Sequence, residues 1–185
     1  MYSENCIEEM LKGGIAELLV EQMFLVSGRR IQRFGFEWKV QWLNRNGSGY
    51  NGDRTDPVVK KLKLMPDFLL ETKNGTMEFI EVKYRQQGRF TEDDLILLRE
   101  LHDQWSPTVI LASYNPKYKK RAFQVIRPNA SGYALDSDRN PIDTKGMLEF
   151  VDEWAISEDA YNECRRHMGI YLRYISKEVR DSFKR

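Results

Sequence analysis

The sequence predicts an α/β domain in which a helix, three strands, a second helix and a fourth strand precede a helical C-terminal extension. Three observations carry that expectation. Apolar residues from Ile7 to Val26 recur every three or four positions, and two strand-like runs flank Lys73-Asn74-Gly75. A helix-spaced segment stopped by Pro107 then leads directly into the apolar run TVILASY at 108–114.

Ser3 is placed to cap a first helix over 3–26, in which Ile7, Met10, Leu11, Ile15, Leu18, Leu19 and Val26 form the apolar stripe. Gly13 and Gly14 weaken its middle, and Gly28 ends it. Residues 30–43, rich in aromatic and β-branched side chains, predict the first strand; the Asn-, Gly-, Asp- and Pro-rich stretch 44–57 predicts a loop. A second strand is expected over 58–71 and a third over 76–85. Thr91 and Asp94 stand three apart as a variant capping box, and Leu95, Leu98, Leu101 and Trp105 keep helical spacing until Pro107 forbids continuation.

After the buried strand at 108–114 come a shorter strand at 121–127, a turn-rich stretch at 128–145 and a weakly patterned helix at 146–154. Ser157 caps the last helix. There Tyr161, Cys164, Met168, Tyr171, Leu172, Ile175, Val179 and Phe183 keep one stripe, with Arg165, Arg166, Arg173, Lys177 and Arg180 mostly off it. The whole is expected to be one domain, with a core over about 3–127 and the helical extension over about 146–185.

Composition narrows the function classes. A chain of 185 residues with 41% hydrophobic and 31% charged content is large enough to bury a real core. Lys plus Arg number 29 against 28 acidic residues, so a phosphate-binding surface must come from local clustering rather than from net charge. Cys6 and Cys164 lie far apart without a partner at metal-ligand spacing, which points away from a disulfide framework or zinc site and toward a reducing, cytoplasmic compartment. The acidic start lacks the pattern of a signal peptide, and no apolar stretch approaches about 20 residues, so neither export nor a membrane is expected. No nucleophile elbow or phosphate-binding glycine loop occurs, and His102 and His167 stand alone on helical segments as structural or surface residues.

The hairpin carries the functional information. If Lys73, Asn74 and Gly75 form a three-residue loop with Gly75 left-handed, Thr72 pairs with Thr76 and Asp67 falls opposite Glu81. Glu81 and Lys83 then share a face with Asp67, accompanied by Leu69, Met77 and Phe79, while Phe68, Leu70, Ile80 and Val82 fill the other. A two-residue loop at Asn74-Gly75 would instead place Asp67 on the opposite face. Two carboxylates and an ammonium amid apolar strands are costly to desolvate unless they bind something, and paired acidic oxygens suit a hard cation. The competing interpretation is a solvated salt-bridge cluster at a sheet end.

Pro66-Asp67 followed by Glu81-Val82-Lys83 resembles the signature of the PD-(D/E)XK nuclease superfamily, and the phrase PDFLLE...FIEVKYR looks like that of TnsA-type transposon end-cleaving endonucleases. The order of elements is similar to the superfamily's restriction-endonuclease-like α-β-β-β-α-β core over about residues 3–114. What the resemblance implies is an α/β fold with a central mixed sheet and a metal-dependent endonuclease acting on DNA. Asp67, Glu81 and the Val82 carbonyl would hold Mg²⁺ or Mn²⁺, with Lys83 orienting or helping to deprotonate water. Many members add a helical Glu; Glu17 is the match, with small neighbours that let the helix approach the sheet, and Glu21 one turn later is its competitor. The Gln-x-x-x-Tyr element of the RecB-like branch is absent after Lys83.

For the nucleic acid itself, Arg85 stands just past Lys83, and Lys117, Lys119, Lys120 and Arg121 form a basic loop with neighbouring tyrosines, for which a solvated loop is the commoner outcome. DNA is the implied partner, and a protein partner or a homodimer stays open. The alternatives are a nucleic-acid-binding or assembly subunit that keeps this scaffold without turnover, and a protein-interaction domain using its aromatic and Met side chains.

Overall fold

The computed structural model describes residues 4–34, 57, 61–62, 64–113, 122–142 and 144–182. Among them a long helix α1 (Glu4–Val26) leads into strands β1 (Ile31–Arg33), β2 (Phe68–Glu71) and β3 (Met77–Tyr84). Helix α2 (Glu92–Trp105) and strands β4 (Thr108–Ala112), β5 (Phe123–Ile126) and β6 (Lys145–Gly146) follow. A 3₁₀ turn (Met147–Phe150) runs into the short α3 (Val151–Trp154), and α4 (Glu158–Ser182) ends the described chain. The fold is α/β, with a mixed sheet ordered β1-β2-β3-β4-β5-β6. Among the described strands only the β3–β4 pair is parallel, because α2 carries the chain back across the sheet between them.

Local chemistry explains the boundaries. Helix α1 stops in a Schellman arrangement: Gly28 sits at φ 71°, its N–H donates to the Leu25 carbonyl, and the Arg29 N–H donates to the Phe24 carbonyl. Helix α2 opens on the expected capping box, Thr91 and Asp94 each accepting from the other's main-chain N–H. Ser157 accepts from the Ala160 N–H at the start of α4.

The sheet is covered on both sides. One face carries Phe68, Leu70, Ile80 and Val82 beneath α1 and α4; the other carries Val109, Leu111 and Ile126 beneath Leu98 of α2. Helix α4 lies antiparallel to α1: the Ser157 N–H donates to Ser27 Oγ at one end, and Ser176 Oγ donates to Glu8 at the other. Glu78 ties layers together by accepting from Trp154 Nε1 at 2.9 Å and from Thr108 Oγ1.

Several expectations are corrected. Helix α1 buries Ala16, Leu19, Val20, Met23 and Phe24, whereas Met10, Leu11, Leu18 and Val26 are exposed. Apolar residues surround this helix, and the stripe predicted from spacing is largely the wrong one. The second strand spans only Phe68–Glu71, since Lys61 and Leu62 are helical and Leu64 lies in a turn; the alternation before Pro66 satisfies a helical turn as well as a strand. Gly146 closes β6 against β5 instead of opening a helix, which begins at Met147. Tyr171 is exposed off the α4 stripe. Residues 35–43 of the first predicted strand, Ser3, Phe183 and nearly all of the 44–57 loop lie outside the described residues. No helix among the described residues is long and apolar enough to cross a membrane.

Candidate active site

The three-residue loop is present: the Thr72 N–H donates to the Thr76 carbonyl at 2.8 Å, the Gly75 N–H donates to Thr72, and Gly75 has φ 78°. Pairing runs Glu71 with Met77 through Phe68 with Ile80, so one further step sets Asp67 opposite Glu81. The two-residue alternative, which would turn Asp67 to the other face, is excluded.

Hydrogen-bonded pairs recur at every second residue of an antiparallel ladder, so the pair after Phe68 and Ile80 would join Pro66 to Val82. The strand ends first, and the Asp67 carboxylate takes the place of that carbonyl: the Val82 N–H donates to Asp67 Oδ2 at 2.7 Å. On the main chain, Asp67 accepts from the Phe34 N–H at 2.7 Å, which continues the β1–β2 pairing.

Glu81 is 5% exposed and is ion-paired with Lys83. Burial, then the charge of Glu81 and that of Glu17, push the Asp67 carboxyl well above the usual carboxylate range, against the opposing pull of Lys83 and the Val82 N–H. Burial presses Lys83 down, yet the Glu81 and Asp67 carboxylates outweigh it and hold the ammonium above its ordinary value. Lys83 is therefore a charged donor here. Tyr133, whose hydroxyl donates to the Pro107 carbonyl, is likewise raised by burial and by Glu81.

Glu17 and Glu21 are separated by a residue that pattern reasoning missed. Arg33 on β1 stacks over Phe68 and engages Glu21 through Nε at 3.0 Å and Nη2 at 2.6 Å, while its Nη1 lies 3.9 Å from Glu17. Glu21 is thus taken up by a two-point ion pair, and Glu17 is the helical acid whose charge reaches Asp67. Of the small neighbours expected to bring the helix close, Ala16 is fully buried, but a side chain at Gly13 or Gly14 would meet nothing within 4 Å. Alternation along β1 would have put Arg33 on the helix side; its pairing with β2 was the missing information.

Asp67, Glu81, Val82 and Lys83 are brought together, with Glu17 bordering them. Arg85 lies near enough for its charge to act on Lys83, and it is engaged by Asp94. Its guanidinium donates to Asp94 at 2.6 Å through Nε and pairs with it again through Nη2, while Nη1 donates to the Tyr84 carbonyl. Lys117, Lys119, Lys120 and Arg121 lie outside the described residues. His102 bonds the Asn129 carbonyl and His167 packs beside Tyr171, both structural or surface settings.

A hard cation needs several oxygen donors. Among the described residues no three His, Cys, Asp or Glu side chains form a ready ion cage. The acidic donors at hand are the Asp67 and Glu81 carboxylates, with Glu17 engaged by Arg33 and Glu81 by Lys83. Two facing carboxylates suit such an ion, since its charge would offset the repulsion that burdens Asp67. Comparison of the chain with protein-family models and with curated proteins gave no match.

Proposed function

We propose that the chain is a metal-dependent nuclease with a restriction-endonuclease-like core, hydrolysing DNA phosphodiester bonds at Asp67, Glu81 and Lys83. The observation carrying this reading is the hairpin register, which faces Asp67 toward Glu81 with the Lys83 ammonium paired beside them. Asp67, Glu81 and the Val82 carbonyl would hold Mg²⁺ or Mn²⁺, and Glu17 would add a ligand directly or through water. The bound ion supplies charge stabilisation at the phosphate oxygens and lowers the pKa of water.

The residues of the chain divide the remaining work. Asp67 and Glu81 fix the ion relative to the strand, and Asp67 is itself fixed by the Val82 N–H. Lys83, paired with Glu81, donates to the attacking water or to a phosphate oxygen and so orients the displacement. Water oxygen bonds to phosphorus and releases a proton to solvent, one P–O ester bond breaks, and the leaving oxygen takes up a proton from solvent.

A cleavage assay with Mg²⁺ on DNA tests the proposal. Wild type is expected to cut, Glu81→Gln to lose activity by at least about a hundredfold, and Lys83→Met to lose activity while still binding Mn²⁺ by titration calorimetry. Wild type that neither cuts nor binds the ion ends the proposal.

A further inference from the structure

Beside the carboxylates lies an aromatic group that the proposed chemistry does not use. Phe34, Phe79 and Trp105 pack around one another with ring centroids 5.2–5.6 Å apart, and each ring is partly exposed. Phe79 precedes Glu81 by two residues on the same side of β3, which separates them by about 7 Å along the strand. Phe34 is joined through its N–H to the Asp67 carbonyl. Trp105 ends α2 above both. The aromatic surface therefore begins where the carboxylates stop.

Two features set this group apart from an ordinary packed cluster. Among the described residues the buried Trp105 Nε1–H has no hydrogen-bond partner, an arrangement that costs free energy. The indole packs edge-on against Phe34 and Phe79, and no hydrogen bond among the described residues fixes its orientation. Position is the second feature: the group adjoins the carboxylates in a chain whose 29 basic and 28 acidic residues give no overall excess, so any grip on a phosphate backbone comes from local groups. A nucleic-acid substrate needs a further source of affinity, and base stacking supplies one that is independent of charge.

We infer that Phe34, Phe79 and Trp105 form a stacking platform for an unpaired nucleobase next to the phosphate brought to Asp67 and Glu81. This rests on the nuclease reading and specifies its substrate as single-stranded or locally unpaired DNA. A base inside a duplex has no free π-face, so the platform discriminates against fully paired substrate.

Fluorescence anisotropy with labelled oligonucleotides, with Ca²⁺ in place of Mg²⁺, tests it. Wild type is expected to bind a single strand about tenfold tighter than the corresponding duplex. Trp105→Leu should lose about tenfold on the single strand and little on the duplex, and Trp105→Phe should recover most of the loss. Moving one abasic position along the strand should reproduce the loss at a single offset in wild type and leave Trp105→Leu unaffected, a comparison that does not depend on how well the variant folds. Equal affinity of wild type for single strand and duplex, or an abasic scan without effect, overturns the platform. Mg²⁺-dependent cleavage with no aromatic dependence overturns the platform alone and leaves the nuclease reading. Aromatic-dependent binding without any cleavage supports the platform and overturns the nuclease reading.

Discussion

The Asp67 carboxylate accepts a 2.7 Å hydrogen bond from the Val82 N–H, standing in for the main-chain acceptor that the ladder would draw from Pro66. The same side chain thus ends a strand pairing and faces Glu81. Its charge is costly, because burial and the charges of Glu81 and Glu17 disfavour ionisation.

Asp67→Asn separates those two roles. An amide oxygen still accepts from Val82 N–H, while the disfavoured charge disappears. A carboxyl whose folded pKa is raised destabilises the fold above its unfolded value of about 3.9, so removing it is stabilising at neutral pH. The expected gain is about 1 kcal/mol, or a Tm rise of about 2–4 °C, together with loss of Mg²⁺-dependent cleavage. A calorimetric scan showing a lower Tm would mean that the negative charge, and not the acceptor, holds Val82.

The Arg85–Asp94 pair predicts an acid dependence of stability. Burial pushes the Asp94 carboxyl up, but the hydrogen bonds from Arg85 and Thr91 outweigh it and hold it below the ordinary carboxylate value. A depressed folded pKa contributes stability that is fully present above the unfolded pKa of about 3.9 and is lost as pH falls through the folded value. Asp94→Asn should therefore be less stable than wild type at pH 7 by about 2–4 kcal/mol, since it breaks a buried pair and half a capping box. The gap should narrow only below about pH 4. Urea titrations of both proteins across that range check this, and a constant gap down to pH 3 would remove Asp94 as the cause. Arg85→Ala should likewise act mainly on stability, not on affinity for DNA.

Hairpin, capping box and Schellman end were legible in the sequence because each is set by residues within a few positions of one another. The face of α1 was not. Leu11, Leu18, Val20 and Phe24 are all apolar, and contact with β3, α4 and Trp154 decides that Val20 and Phe24 go inward. The Arg33 clamp on Glu21 depends on β1 pairing with β2 across a gap of dozens of residues, which no local pattern encodes. The expected charges of the site were found by counting back from the loop; the role of Asp67 as acceptor for the Val82 N–H follows from where β2 begins, and that boundary was placed ten residues too early.

Loop length is the most direct control on the site. Deleting Asn74 leaves a two-residue loop and shifts the register by one, turning Asp67 from Glu81 and moving Phe68 and Leu70, both fully buried, toward the opposite face. Re-exposing two such side chains costs about 3–6 kcal/mol, a large part of a typical domain's stability of about 5–15 kcal/mol. The deletion should be strongly destabilised and inactive. Gly75→Ala is the informative contrast. At φ 78° an added Cβ meets nothing within 4 Å, so the cost is backbone strain alone, about 1–2 kcal/mol, with the register kept. Gly75→Asn should cost less, because Asn enters the left-handed region more easily. Both point variants should lower Tm by a few degrees and retain full cleavage per folded molecule. If Gly75→Ala instead loses activity while circular dichroism and melting show a folded protein, the loop conformation itself acts on the site, and register is not the whole of its role.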